Sequence, residues 1–329
     1  MMLPKYLVVF LLVGSLNLQA AESTPTEWLI RMNAAFTNIN YDGIFSYMGG
    51  NELSTLRVVH MVVDGEQRER LAHLNGAPRE IIRKGDQVAC ILMPGDELLA
   101  LESSIPSGPF ARSFIRQYDK LTNSYTLNMH GESRQAERDA VRMSIMPTDG
   151  DRYGYRLWLD KDTGILLRSE LVDSANTKLE IFQFTSLTIG DAVSEQALEP
   201  TTAKGKLVSH LVLESEPWAA RVAEPGEMHW GAGWLPLGFK MATADIRRTP
   251  SNLKMVNTLM YTDGLAAFSV FIEQWPKNGA TAMDSRNGAT VAVTAMVSGA
   301  DDAKHLVTVV GEVPVATAKK IARSVHYTP

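Results

Sequence analysis

Apolar residues recur at two different spacings along this chain, and the change between them marks out its elements. Leu29, Met32, Phe36 and Ile39 follow one another at intervals of three and four, which puts them on one face of a helix. Thr24, Pro25 and Glu27 stand just before them: a capping hydroxyl, a residue suited to the first helical position, and a carboxylate placed to return to the cap amide. From residue 41 to residue 190 the period drops to two. Strand-like runs fall at 43–48, 55–63, 67–73, 79–84, 87–93, 97–101, 124–130, 140–146, 154–159, 165–172 and 178–188. Asp64-Gly65, Asn75-Gly76, Pro94-Gly95-Asp96, Asp149-Gly150 and Asp162-Thr163-Gly164 separate them as turns. Short sequential connections predict an antiparallel meander. A strongly curved sheet with helix on its concave side buries both apolar faces most simply.

One stretch breaks the alternation. Residues 103–109 (SSIPSGP) lead into 110–118, which can form a short amphipathic helix. Ile105, Phe110 and Phe114 beside such flexible residues suit a flap over the open side of the sheet, and a plain surface connection is the alternative. A second break, with strand-like traces, covers 199–216 and reads as a linker. Beyond it the period of two returns at 239–247, 255–262, 265–273, 290–297 and 306–310, followed by helical spacing of Val315, Ala318, Ile321, Ala322 and Val325 within 314–327. A smaller antiparallel sheet covered by one terminal helix is predicted. The chain is therefore α+β, with the first domain over 21–198, the linker over 199–216 and the second domain over 217–329.

Residues 1–20 carry a different pattern: Lys5, an apolar run from 6 to 13, then Gly14, Ser15 and a small residue at Ala20. This is the layout of a secretory signal peptide cut after Ala20, and the apolar run is too short to span a bilayer. No Cys follows the cut, so bacterial lipidation lacks its attachment residue and the mature chain is expected to be exported and unlipidated. The 329 residues, 45% hydrophobic, suffice for two cores. The lone Cys90 cannot form an internal disulfide and lies in an apolar run, where it reads as a packed thiol. The formal net charge is -5, but from residue 217 onward 11 Lys and Arg face 9 Asp and Glu, so the acidic excess sits in the first domain. Neither part is basic enough to predict nucleic-acid binding.

Catalytic chemistry finds little footing. The seven histidines are scattered without metal-ligand spacing, no serine sits in a nucleophile elbow, and Gly231-Ala232-Gly233 does not open a phosphate-binding helix. No cofactor or metal is expected, and an enzyme acting on envelope polymers ranks last among the readings.

Several ordered motifs resemble one family. Residues 261–273 (YTDGLAAFSVFIE), 307–314 (VTVVGEVP), 233–236 (GWLP) and Gly238-Phe239 are similar to the C-terminal domain of the RseB/MucB regulators. Residues 69–71 (ERL), 74–76 (LNG) and 78–83 (PREIIR) resemble its N-terminal domain, and 158–166 (WLDKDTGIL) resembles the related lipoprotein carriers LolA and LolB. The resemblance spans essentially the whole mature chain. It implies a LolA-like half-barrel in the first domain and a periplasmic, non-enzymatic regulator of the envelope-stress sigma factor. Such a protein holds the periplasmic tail of a membrane anti-sigma factor of the RseA/MucA kind and shields it from the first cleaving protease. Lipopolysaccharide, lipoprotein or unfolded outer-membrane protein signals would release it. A periplasmic lipid or lipoprotein carrier is the alternative.

Three sets of residues are candidates for these roles. Trp230, Trp234, Phe239 and Tyr261 combine aromatic bulk with Gly- and Pro-shaped loops and suit contact with the partner tail, or else form the core of the small domain. Trp28, Phe36, Phe45 and Tyr47 would line an acyl-chain cavity or fill a core. Arg68, Arg70, Arg79 and Arg83, with Lys84, would meet anionic headgroups or form a solvated sheet face. Exposed sheet edges leave a homo-oligomer open without choosing a symmetry.

Overall fold

The computed structural model describes residues 23–85, 87–92, 121, 123–201, 206–210, 221–222, 228–248, 255–275, 283–300 and 303–328. The expected leader, the strand at 97–101, the flap and the helix at 110–118 lie outside them.

Helix α1 (Pro25–Asn38) starts as its sequence dictates. Thr24 Oγ1 accepts the Glu27 N–H at 3.3 Å and Glu27 Oε2 accepts the Thr24 N–H at 2.6 Å, so two otherwise orphaned donors are satisfied reciprocally. Thr24→Ala should lower stability by about 1 kcal/mol, read as a shift of the urea midpoint at unchanged slope. Trp28, Leu29, Met32, Ala35 and Phe36 form the buried face of α1.

That face meets a sheet of eleven strands. Five run in chain order: β1 (Tyr41–Gly49), β2 (Glu52–Val63), β3 (Glu66–His73), β4 (Glu80–Lys84) and β5 (Gln87–Leu92). Five more follow: β6 (Tyr125–Gln135), β7 (Arg138–Pro147), β8 (Gly154–Asp160), β9 (Leu166–Val172) and β10 (Lys178–Ile189). The eleventh, β11 (Lys206–His210), lies within the expected linker and pairs antiparallel with β5. The order is β11-β5-β4-β3-β2-β1-β10-β9-β8-β7-β6. The single predicted meander is thus two meanders joined at the centre, where β1 pairs with β10 from Tyr41↔Ile189 onward. The turn between β2 and β3 is the expected Asp-Gly one, with both residues at positive φ, Asp64 at 53° and Gly65 at 79°.

The first core lies between α1 and this sheet. Phe45, Phe182 and Phe184 sit at its centre with centroid separations of 4.8, 5.9 and 5.1 Å. Gly43 makes room for this packing, since a Cβ there would stand 2.4 Å from the Phe184 ring. The α1 face, Leu157, Leu159 and Ile145 complete it.

The second sheet has the order β12-β14-β15-β16-β19-β18-β17. Its strands are β12 (Arg221–Val222), β14 (Lys240–Arg248), β15 (Met255–Thr262), β16 (Ala267–Gln274), β17 (Asp284–Asn287), β18 (Thr290–Ser298) and β19 (Lys304–Gly311). Helix α2 (Val315–Ser324) covers one face with Thr317, Ala318, Ile321 and Ala322. It is shorter than the predicted 314–327: the chain turns extended at Val325, and β20 (Val325–Tyr327) pairs with β13 (Trp230–Ala232). Trp230 packs edge-on against Tyr327 at 5.4 Å, a tertiary contact that outcompetes one more helical turn. The α+β class and the two-sheet division otherwise follow the predicted periodicity.

Candidate functional site

The two sheets are latched through a turn that the sequence already singles out. Between β15 and β16, Asp263 Oδ1 accepts the N–H groups of Leu265 and Ala266 at 2.9 and 2.8 Å, and Gly264 sits at φ +98°. The turn thereby pushes Leu265 into the core of the first sheet, where it is 7% exposed. The other carboxylate oxygen, Oδ2, accepts the Tyr125 hydroxyl at 2.9 Å and Arg152 Nη1 at 2.5 Å.

Arg152 is the hinge pin of this joint, with a side chain fully removed from solvent. Besides Asp263 it donates to both carboxylate oxygens of Asp149 and to the Leu237 carbonyl at 2.6 Å. Its guanidinium carbon lies 5.3 Å from the Tyr125 ring centre and 5.1 Å from that of Phe239. A buried charge is tolerable only when paired this fully. Further straps cross the joint: Thr317 Oγ1 to Asp151 at 3.0 Å, the Tyr153 hydroxyl to the Val313 carbonyl at 3.1 Å, and the Ala289 N–H to Glu180 at 3.0 Å. Beside them lies Glu312. Burial and the neighbouring Glu180 push its carboxyl up to about 7, against the opposing pull of a Tyr155 hydrogen bond.

The aromatic candidates for partner contact fall mostly in the second core. Trp230, Phe239 and Tyr261 are buried, and Phe268 takes both Tyr261 and Phe239 at 5.2 Å. The register Tyr261↔Phe268 assigns both rings to the α2 face of the sheet, so these three serve packing rather than presentation. Trp234 differs: it is partly buried, with Lys320 Nζ 3.5 Å from its ring centre.

Of the proposed cavity residues, Trp28, Phe36 and Phe45 are buried in the first core, and the Tyr47 hydroxyl donates to Glu180 at 2.8 Å. A void of about 40 Å³ touches Phe36, bordered by His60, Glu69 and Arg83. It has room for a few waters, and burial holds the His60 imidazole below its usual range. Acyl chains do not fit it.

The basic set does not form one face. Arg70 is buried and spent on Glu80 at 2.8 Å and on Thr201 at 2.7 Å, while Arg68 pairs with Glu195 at 3.0 Å. Arg83 lies beside the buried Glu69, and Arg79 sits close enough to His73 to help lower its pKa after burial has done so. What residue-by-residue reading missed is a second basic group on β7 to β10. Arg142, Arg156, Arg168 and Lys178 surround a concavity of about 610 Å³ with His130 and Trp158. Its signal was present as one arginine on each of three successive strands, but only the register brings them together.

Among the described residues no cluster of His, Cys, Asp or Glu could hold a metal ion, and no helix is long and apolar enough to cross a membrane.

Two large antiparallel sheets, each packed against a helix among the described residues and tied together by a buried arginine, define a two-domain α+β scaffold. The family models make that class specific: the MucB/RseB N-terminal domain matches residues 24–202 and the MucB/RseB C-terminal domain matches residues 224–326. The chain belongs to the MucB/RseB family. It is 37% identical to the sigma factor AlgU regulatory protein MucB of Pseudomonas aeruginosa, over 97% of this chain and 96% of that one. It is 26% identical to the sigma-E factor regulatory protein RseB of Escherichia coli K12, over 96% of each. Among solved structures, the Pseudomonas aeruginosa MucA/MucB complex aligns at 34% identity with a TM-score of 0.75, covering 93% of this chain and all of that one. A structure of MucB by itself aligns at 33% identity with a TM-score of 0.64, covering 92% and 98%.

Proposed function

We propose that this chain is an exported regulator of an envelope-stress sigma factor. It binds the periplasmic tail of a membrane anti-sigma factor and shields that tail from regulated proteolysis until an envelope signal releases it. The observation that carries the proposal is the end-to-end likeness to the structure of the MucA/MucB complex, which covers 93% of this chain and all of that one. Residues 1–20 act as the cleaved leader, and the mature protein works in the periplasm without a lipid anchor. Its action is occlusion, not catalysis.

The division of labour follows the two sheets. Residues 21–198 form the sensing domain and residues 217–329 the tail-binding one, with 199–216 between them; β11 within that linker keeps to the edge of the first sheet before the chain crosses over. Trp234 is the aromatic residue best placed to touch the tail, because it is the one of the four candidates that is only partly buried.

The test is a co-purification of the mature chain with the periplasmic tail of its host's anti-sigma factor, followed by digestion of that tail by the initiating protease. A stable complex that slows cleavage at least several-fold, with binding weakened by Trp234→Ala, is expected. Failure to bind the tail, together with extraction of lipid or lipoprotein from membranes, would replace the regulator reading with the carrier one.

A further inference from the structure

The first sheet has two faces, and the one turned away from α1 holds a group of charges that no fold-stabilising role exhausts. Register sets them in two rows across adjacent strands. Arg142 on β7 stands opposite Trp158 on β8, which stands opposite Arg168 on β9; one step along, Ser144 faces Arg156 and Arg156 faces Glu170. Lys178 closes the row from β10.

Three of the four cations thus share one carboxylate. Glu170 is buried and receives Arg168, Lys178 at 2.7 Å and Arg156 at 3.6 Å. Burial alone would raise its carboxyl, but the Lys178 and Arg168 hydrogen bonds override that and hold it below the usual carboxylate range. Among the described residues Arg142 has no carboxylate partner: it donates to the His130 carbonyl at 2.7 Å. Arg168 lies over the Trp158 ring at 5.0 Å, and its Nε is buried without an acceptor among the described residues. The excess positive charge surrounds a concavity of about 610 Å³. An ordinary solvated face spreads its charges apart and pairs them off; this one gathers them on rigid strands around a hollow.

We infer that the Arg142–Arg156–Arg168–Lys178 hollow is a binding site for a compact, multiply charged phosphate group. Arginine forks match phosphate oxygens in pairs, and preorganised strands hold them without further ordering. The fold itself disfavours an extended acidic peptide. Strands β7, β8 and β9 lie inside the sheet with neighbours on both sides, so a peptide would find no free backbone edge and only side chains can read the occupant. The site lies apart from the Asp263 joint and is independent of the regulator reading, because the protein alone suffices to test it.

Titration of the mature full-length chain with inorganic pyrophosphate, followed by calorimetry, reads the site directly. Saturable binding that weakens as salt rises is expected. Arg142→Gln should weaken it roughly tenfold, and this substitution breaks no internal ion pair; Arg156→Gln is the second variant. Glu170→Gln should act oppositely and tighten it, since it frees the cations from their internal partner. Flotation with phosphatidylcholine vesicles, with and without phosphatidic acid, whose headgroup is a phosphate monoester, separates the sources. Vesicle binding competed by pyrophosphate assigns a lipid headgroup, and pyrophosphate binding without vesicle binding assigns a soluble phosphate. No pyrophosphate binding, or binding that both arginine variants leave unchanged, overturns the site.

Discussion

Arg152→Met should destabilise the folded protein by about 3–5 kcal/mol, because it strips a buried carboxylate of its counter-charge while leaving the carboxylate in place. Asp263 is 2% exposed, and its remaining partner from the first sheet would be the Tyr125 hydroxyl. Methionine keeps an unbranched apolar stem but stops short of the guanidinium, so the loss reports the charge and its hydrogen bonds together with the small gap left behind. It also removes the donor to the Leu237 carbonyl and both bonds to Asp149. Guanidinium unfolding should show the midpoint falling and the single transition splitting, as the two sheets lose their principal tie. An Arg152→Met protein that unfolds in one step at the wild-type midpoint would remove the buried pair from its place as the main latch.

The same joint should make stability fall as pH rises through neutrality. The Glu312 carboxyl is displaced upward from an ordinary value near 4.5 to about 7, so the folded state holds its proton more tightly than the unfolded chain does. Below pH 4.5 the group is protonated in both states and contributes nothing to the difference. Between 4.5 and 7 the unfolded chain gives up the proton first, and stability declines; above 7 the loss is complete, at about 3 kcal/mol. Glu312→Gln keeps an acceptor for Tyr155 without the charge. It should match the wild type near pH 4 and exceed its stability at pH 8 by up to that amount. Urea titrations at the two pH values decide it: equal stability at both would mean that Glu312 does not titrate against the fold.

What could be read from the sequence was whatever depends on near neighbours. The Thr24–Glu27 capping box, the Asp64-Gly65 turn and the apolar face of α1 are decided within a few residues, and each stands in the structure where its pattern puts it. Features decided by register were out of reach. Nothing near Tyr41 announces Ile189 as its partner, so one meander was expected where two meet back to back. Arg70 looks solvated along its own strand, but Glu80 waits on the next one, displaced diagonally from the Arg70↔Ile82 pair. Tyr261 and Phe239 look like interface aromatics between glycine-rich loops until Phe268 is seen between them. The hollow on β7 to β10 is the converse case: its arginines were visible one strand at a time, and cross-strand pairing turned them into a group.

The placement of Leu265 has a consequence for how the molecule comes into being. A chain made from its N-terminus can close the centre of its first sheet only when residue 189 has arrived to pair with residue 41. Even then its interior stays short of two side chains from turns of the far sheet, Leu265 from residues 263–266 and Ala289 from between β17 and β18. The first domain therefore passes through a stage in which it is assembled but unfinished, with apolar surface still open where Leu265 will dock. Contacts this distant in sequence form slowly, and partly buried intermediates of this kind are where sheet proteins aggregate. Completion comes late along the chain, since the last third supplies side chains that close the interior of the first two.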